Sequence, residues 1–519
     1  MTPPPEGYLL SIDNGTQSVR AMLFDTRGEL LAKHSIALDP YFSSQPGWAE
    51  QRVEYFWQSL CDACQGLWPQ LEIAREQITA VSVTTQRATA VALNAAGEPL
   101  RPAFSWLDQR KVDSRPVLGR LESLAMRALG VKSSVDAFHQ SAESNWLAQF
   151  EPDNWATTAH YLLLSGYHVQ RLTGCYSDAV ASQVGYLPFD FKRQRWADER
   201  DWTWRALPIK RQMLPELVAA GGLLGNITAQ ACEQTGIPMG LPLIASGSDK
   251  ACEVLGSGCV ESDTGSLSFG SLATFNVTSN RYFEAISAHP AYPGVVPNSF
   301  NIETVVQRGY WMVSWFKREF GLREQQLAAE RGVTPEALFD DLLDAVPAGA
   351  AGLMLQPYWS PSADDIAGVA RGAIIGFTEQ HGRAHLYRAM IEGLTYALRE
   401  GMEQVEKRSG HRIQRLVASG GGSQSDSILQ ITADIFGLPV SRPHTFESSG
   451  LGAAIAAAVG IGLYPDFTHA AANMTRTSKT FYPDPANHAT YQQLYRQVYQ
   501  NLYRQLQPSY KKLQTLIGR

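Results

Sequence analysis

A chain of 519 residues is too long for one hydrophobic core and implies two or more domains. Its 44% hydrophobic and 18% charged residues are those of an ordinary globular protein. A formal net charge of −6 offers no electrostatic footprint for DNA or RNA, so no nucleic-acid partner is expected.

The first elements are β-like apolar runs at 8–12 and 19–24, joined by the polar turn Asp13-Asn14-Gly15-Thr16-Gln17-Ser18. Gly15 lets the backbone approach a bulky anion, and Thr16, Gln17 and Ser18 supply N–H and side-chain donors around it. Asp13, at the strand end, is placed to share a hydrated Mg²⁺ with phosphates bound there. An ordinary Asx-Gly hairpin turn is the competing reading. Arg20 either assists the phosphates or makes a salt bridge from the strand.

Further strands are predicted at 30–36, 78–83 and 90–93, with a hairpin loop at Asn94–Gly97. A Trp-rich helical pattern at 56–68 contains Cys61 and Cys64. Of the six cysteines (61, 64, 175, 232, 252 and 259), only these two are closely spaced. With no second CxxC and no nearby His, they read as buried thiols in a reducing compartment. Residues 116–172 are mostly helical in pattern. An apolar strand at 240–246 then runs into Gly247-Ser248-Asp249-Lys250 and a helix at 251–255.

The pattern begins again at 267–269, with a small-residue turn at Gly270-Ser271 and a strand at 272–277. A strand at 301–306 and helices across 310–346 follow. Residues 415–418 form a strand leading into Ser419-Gly420-Gly421-Gly422-Ser423. The next helix carries Ile428, Leu429, Ile431, Ile435 and Phe436 at helical spacing and ends at Gly437. Residues 448–462, rich in Ala and Gly, read as a tightly packed helix, and 488–517 as a polar terminal helix. The longest low-charge run, 451–464, is shorter than the ~20 residues of a membrane span. The N-terminus has no basic or apolar signal region. A cytoplasmic protein with no membrane partner is expected. A strand–turn–strand unit thus appears twice, near 13–18 and near 267–273. Two α/β lobes with a phosphate loop each would hold a nucleotide in the cleft between them.

The chain resembles the FGGY family of carbohydrate kinases, of the sugar kinase/Hsp70/actin superfamily, over nearly its full length. The matching pieces fall in family order: Asp13-Asn14-Gly15-Thr16, Pro46-Gly47-Trp48-Ala49-Glu50, Thr85-Gln86-Arg87, Trp106-Leu107-Asp108-Gln109-Arg110, Gly247-Ser248-Asp249 and Gly420-Gly421-Gly422-Ser423. A C-terminal signature follows the same order as Gly372-Ala373-Ile374-Ile375-Gly376, a spacer, and His385-Leu386-Tyr387-Arg388-Ala389-Met390-Ile391-Glu392-Gly393, with Phe377 bulkier than the usual aliphatic. The resemblance implies an α/β fold of two actin-like (ribonuclease H-like) domains flanking an ATP cleft. Residues 1–253 would carry the acceptor site, the first phosphate loop and the catalytic Asp. Residues 254–519 would carry the second phosphate loop, the adenosine site and the C-terminal helix.

It further implies that Asp249 is the catalytic base, although an Asp there could also be a helix N-cap. Thr16, Gln17 and Ser18 would line one phosphate turn and Gly270 and Ser271 the other. Gly420, Gly421, Gly422 and Ser425 would clasp adenine and ribose, and Asp13 would orient Mg²⁺. Gln86, Arg87, Trp106, Asp249 and Lys250 would face the acceptor. Asp108 and Arg110 read as a structural ion pair, and Trp48 as structural. Two positions depart from the glycerol kinase pattern: Ala88 replaces an acidic residue that follows the Arg, and Lys250 replaces a Gln. Xylulose kinases usually carry Met-His at Arg87-Ala88. Losing an acid and gaining a cation suggests a larger or anionic polyol, unless Lys250 pairs with Glu253 at i,i+3.

The expected activity is ATP-dependent phosphorylation of a hydroxyl of a pentulose, polyol or related acceptor. An autoinducer-2-type or glycerol kinase is the alternative, and a non-catalytic ATP- and sugar-binding regulator of the same fold is the rival. ATP, Mg²⁺ and a small sugar or polyol are the expected ligands, and a homodimer or homotetramer would be ordinary for the family.

Overall fold

The computed structural model describes residues 7–517 apart from 114–118, 120–122, 124–125, 129–131, 287–288 and 360–369. Two large sheets organise it. The first contains β1 (Tyr8–Asn14), β2 (Ser18–Asp25), β3 (Leu30–Ala37), β4 (Ile78–Thr85), β5 (Leu223–Asn226) and β6 (Pro242–Ile244). Its order is β5-β6-β4-β1-β2-β3. The β1–β2–β3 meander is antiparallel, whereas β1 and β6 each lie parallel to β4. β1 is buried on both faces because helices cover both. Leu10 and Ile12 pack with Phe56, Leu60 and Cys64 of the Val53–Leu67 helix. Leu9 packs on the opposite face with Leu451 and Ile455, of a helix from far along the chain.

The second sheet contains β7 (Thr264–Phe269), β8 (Ala273–Ser279), β9 (Tyr292–Pro293), β10 (Phe300–Val306), β11 (Arg415–Ser419), β12 (Val440–Pro443) and β13 (Thr477–Phe481), in the order β9-β10-β8-β7-β11-β12-β13. It repeats the first in its pairings. β7 is antiparallel to β8 and parallel to β11, β11 is parallel to β12, and the strand beyond is antiparallel. The twofold rhythm read from the sequence is therefore a repeat of topology.

Two helices lie between the sheets. Asp249–Gly256 follows β6, and Ser448–Gly460 follows β12; they pack together with Leu9, Met22, Phe24 and Ile244 of the first sheet. Contact is backbone to backbone. A Cβ on Gly256 would lie 1.9 Å from the Ser448 carbonyl oxygen, and one on Gly452 would lie 1.9 Å from that of Cys252. This explains the Ala/Gly composition of residues 448–462.

A smaller antiparallel sheet of Glu50–Gln51, Ala103–Phe104, Ala90–Leu93 and His160–Leu163 sits beside the first lobe. The expected helical stretch 116–172 is interrupted there. Tyr161, Leu162 and Leu163 pair with Ala92, Val91 and Ala90 and are buried, so partner strands outweigh local helical pattern. Helices Lys132–Ser141, Glu143–Phe150, Pro152–Thr157 and Leu164–Thr173 surround this strand, and much of 114–131 lies outside the described residues. The terminal helix begins at Pro485 and runs through a π turn, Tyr495–Tyr499, to Ile517. Cys61 and Cys64 are buried free thiols. Among the described residues no helix is long and apolar enough to cross a membrane.

Candidate active site

The turn after β1 is closed by the Gly15 N–H, which donates to the Ser18 carbonyl at 3.0 Å. Thr16 is held from the first lobe: its hydroxyl donates to Gln86 Oε1 at 2.8 Å and accepts from Trp106 Nε1 at 2.9 Å. Gln17 points the other way, and its Nε2 donates to Ser271 Oγ at 3.3 Å. Ser271 belongs to the turn between β7 and β8. The two small-residue turns, 254 residues apart, therefore face each other. Gly270 fixes the second turn by accepting the Tyr310 N–H at 3.0 Å.

Asp13 is buried at the end of β1, where Arg20 Nη2 lies 2.6 Å from Oδ2. Arg20 reaches on to Glu447 at 2.6 Å, and Glu447 also takes Lys33 at 2.8 Å. Arg20 thus makes salt bridges, the second of its two expected roles. Burial pushes the Asp13 carboxyl up to about 6 against the opposing field of Arg20, and Asp249 and Glu447 add to the rise. The Oδ1 atom of Asp13 is buried without a hydrogen-bond partner among the described residues.

Asp249 opens the helix after β6 but does not cap it. Ser248 is the N-cap, its hydroxyl accepting the Ala251 N–H. One Asp249 oxygen accepts its neighbour's N–H, from Lys250, at 2.8 Å; among the described residues no side chain hydrogen-bonds the carboxylate. Burial raises its pKa, opposed by Lys250 and Arg87. Lys250 makes the i,i+3 pair: its ammonium lies 2.6 Å from Glu253 and 2.7 Å from Ser268 Oγ. Glu253 also accepts from Ser419 Oγ at 2.6 Å, which ties this helix to β7 and β11 of the second sheet.

Arg87 leaves β4 toward the second lobe. Its Nη2 donates to Glu303 of β10 at 3.0 Å, and its guanidinium lies 5.1 Å from the Tyr292 ring centroid. Ala88, beside it, is held at φ 51 with its N–H on the Val184 carbonyl. Asp108 and Arg110 form the expected structural pair at 2.7 Å. Arg110 also meets Glu50 and stacks on Trp48 at 4.1 Å.

The glycine run follows β11 and enters the Asp426–Phe436 helix through a short turn at Gly421–Gln424. Gly420 adopts φ 83 against Phe269, and a Cβ on Gly422 would meet the Tyr310 ring at 2.5 Å. Gly421 has open space before it. Ser425 caps the helix through Ile428 and donates to Asp340 at 2.5 Å, so its hydroxyl already has partners.

Sequence reasoning missed Glu303, Tyr292 and Glu447, whose contacts cross between the lobes. A carboxylate between Ile302 and Thr304 in an apolar strand was the one local signal for Glu303. Among the described residues no three His, Cys, Asp or Glu side chains cluster as a metal cage. Mg²⁺ needs only one or two carboxylates when phosphates complete its shell, and the unpartnered Asp13 oxygen fits that requirement.

Comparison with known proteins agrees with this architecture. Residues 8–256 match the FGGY family of carbohydrate kinases, N-terminal domain, and residues 265–461 match its C-terminal domain. The uncharacterized sugar kinase YgcE of Escherichia coli (strain K12) is 30% identical over 490 residues, covering 93% of this chain and 91% of that protein. A xylulose kinase of Lactococcus lactis is 28% identical over 498 residues, covering 94% and 95%. The crystal structure of xylulose kinase from Rhodospirillum rubrum superposes with a TM-score of 0.80 at 26% identity, covering 97% of this chain and all of that one.

Proposed function

The chain belongs to the FGGY family of carbohydrate kinases, and from that membership we propose that Asp249 is the base of its phosphoryl transfer. The reaction class is ATP-dependent phosphorylation of a sugar or polyol hydroxyl. The observation that carries the assignment of Asp249 is its freedom. Ser248 caps the helix, so the Asp249 carboxylate is not needed for capping. A buried carboxylate with a raised pKa is also a better proton acceptor than one in water.

In this reading an acceptor hydroxyl gives its proton to Asp249 as its oxygen attacks the γ-phosphorus. Gln17, with Thr16 and Ser18 in the first turn and Gly270 and Ser271 in the second, would supply donors to the phosphates. Asp13 would hold Mg²⁺, directly or through water; the ion when bound neutralises phosphate charge. Gly420, Gly421 and Gly422 would admit the adenosine, with Ser425 shaping the helix start. Arg87, Gln86 and Trp106 would line the acceptor side. Lys250 would act through Glu253 and Ser268, fixing the helix that carries Asp249. Residues 1–253 and 254–519 are the proposed domains, and closure between them would exclude water as a wasteful acceptor.

The test is ADP release from Mg²⁺-ATP by wild type and Asp249→Asn. The panel is glycerol, erythritol, pentitols, ketopentoses, ketohexoses, sugar acids and the autoinducer-2 precursor. Stimulation by one acceptor in wild type alone supports the reading. Equal slow hydrolysis by both proteins, with no acceptor effect, overturns the base assignment.

A further inference from the structure

We propose that Glu303, contributed by the second lobe, is a specificity-determining residue of the acceptor site. It would select a neutral acceptor with adjacent hydroxyls over a sugar acid. The inference rests on the kinase reading above and deepens it at the same site.

The geometry begins with register. Glu303 on β10 lies opposite Asn276 on β8, which lies opposite Ser266 on β7. Directly paired residues share a face, so these three form a polar row. The neighbouring register row holds Thr274 and Ser268, and Ser268 receives Lys250 from the helix that carries Asp249. The polar face of the second sheet therefore looks toward the proposed base. Glu303 extends that face to Arg87, which lies close enough to Asp249 to lower its pKa.

Arg87 is not consumed by this contact. Among the described residues one Nη2 hydrogen bond to Glu303 is its only side-chain hydrogen bond, and Tyr292 covers one side of its plane. The Glu303 side chain is only 5% exposed, and among the described residues only its Oε1 accepts a hydrogen bond. A fixed guanidinium with unused N–H groups beside a carboxylate with an unused oxygen suits a vicinal diol. One hydroxyl donates to Glu303, and its neighbour accepts from Arg87. Glu303 thus supplies the acidic hydroxyl acceptor that Ala88 does not.

Charge sets the direction of selection. Arg87 is paired with Glu303 and Lys250 with Glu253, and among the described residues no salt bridge engages the Asp249 carboxylate. An acceptor carboxylate would meet that field with Arg87 and Lys250 both already charge-paired to carboxylates. Like-charge juxtaposition in a desolvated site is unfavourable and suppresses the wrong partner. The anionic acceptor suggested by Lys250 alone loses its support once Lys250 is seen paired.

The experiment compares wild type, Glu303→Gln and Glu303→Asp on matched neutral and acidic acceptors, pentitols and ketopentoses against aldonates. Wild type should prefer the neutral member. Glu303→Gln should raise the neutral-acceptor KM at least tenfold, keep the KM for ATP within twofold, and reduce the neutral-over-acid ratio of kcat/KM at least tenfold. Glu303→Asp should keep the neutral preference. Wild-type preference for the acid, or a Glu303→Gln variant within twofold of wild type on both acceptor readouts, overturns the proposal. So does a loss that extends equally to ATP, because that marks a strut between lobes. If wild type phosphorylates none of the panel, the kinase reading falls, and intrinsic fluorescence titrations decide on Glu303. Neutral-acceptor binding that is lost in Glu303→Gln upholds it, whereas unchanged or absent binding overturns it.

Discussion

Arg20 of the first sheet donates to Glu447, just before the Ser448–Gly460 helix, at 2.6 Å, across 427 residues of sequence. The same guanidinium holds Asp13 at 2.6 Å. Arg20 therefore links the proposed metal carboxylate to a helix start between the lobes. Glu447→Gln removes the charge that anchors Arg20 while keeping the side chain's size. The expected result is a three- to tenfold higher Mg²⁺ requirement, with the acceptor KM unchanged. A loss of about 0.7–1.4 kcal/mol, within the net worth of one hydrogen bond, has that size. A Mg²⁺ titration at saturating acceptor checks it, and an unchanged titration curve would separate Glu447 from Asp13.

The pH response follows from Asp13. Burial raises its carboxyl from 3.8 to about 6, and burial raises Asp249 as well. Both act as carboxylates in the proposed chemistry, so kcat/KM should rise with pH through a limb near 6 and then level. The stability sign is opposite. A raised carboxyl pKa means that the folded state binds the proton more tightly. The contribution of Asp13 to metal-free stability is thus complete below 3.8 and lost as pH rises through about 6. Activity profiles and metal-free melts from pH 4 to 8 should therefore trend in opposite directions for this group. A kcat/KM profile flat from pH 5 to 8 would refute the assignment.

Ser248 and Asp249 are adjacent but should fail differently. Asp249→Asn should lower kcat by 10²–10⁴-fold, the usual range for losing a general base, with little change in Tm. Ser248→Ala removes the cap of the Asp249–Gly256 helix and should cost about 1 kcal/mol of stability. Melting curves and kcat for the two variants test the separation. A large Tm loss in Asp249→Asn would return Asp249 to a structural role.

How much of this was legible depended on whether the cause was local. The β1 turn, the strand before Asp249 and the helix after Gly422 follow from apolar runs, glycines and caps within a few residues of one another. The His160–Leu163 strand did not, because its partner Ala90–Leu93 lies about 70 residues earlier and supplies the pairing that overrides a helical pattern. The two possibilities for Lys250 were both visible, and only the positions of Glu253 and Ser268 decide between them. Glu303 and Glu447 were invisible as site residues for the same reason. Each gains its meaning from an arginine in the other lobe.

Gly421 and Gly452 offer the sharpest contrast between a glycine kept for a ligand and one kept for packing. Gly452 presses on the Cys252 carbonyl, where a Cβ would sit 1.9 Å away. Gly452→Ala must push two helices apart and should lose about 1–3 kcal/mol of stability, the range for overpacking. Gly421 has no atom of the described residues within 4 Å of its would-be Cβ. Its φ is also not in the left-handed region that strains an alanine. Gly421→Ala should therefore melt like wild type. If adenosine packs against that bare backbone, the added methyl should raise the KM for ATP about tenfold, equivalent to roughly 1.4 kcal/mol, and leave the acceptor KM alone. Paired melts and ATP saturation curves read both effects. An ATP KM unchanged in Gly421→Ala would move the adenosine away from the glycine run, because among the described residues nothing requires that residue to lack a side chain.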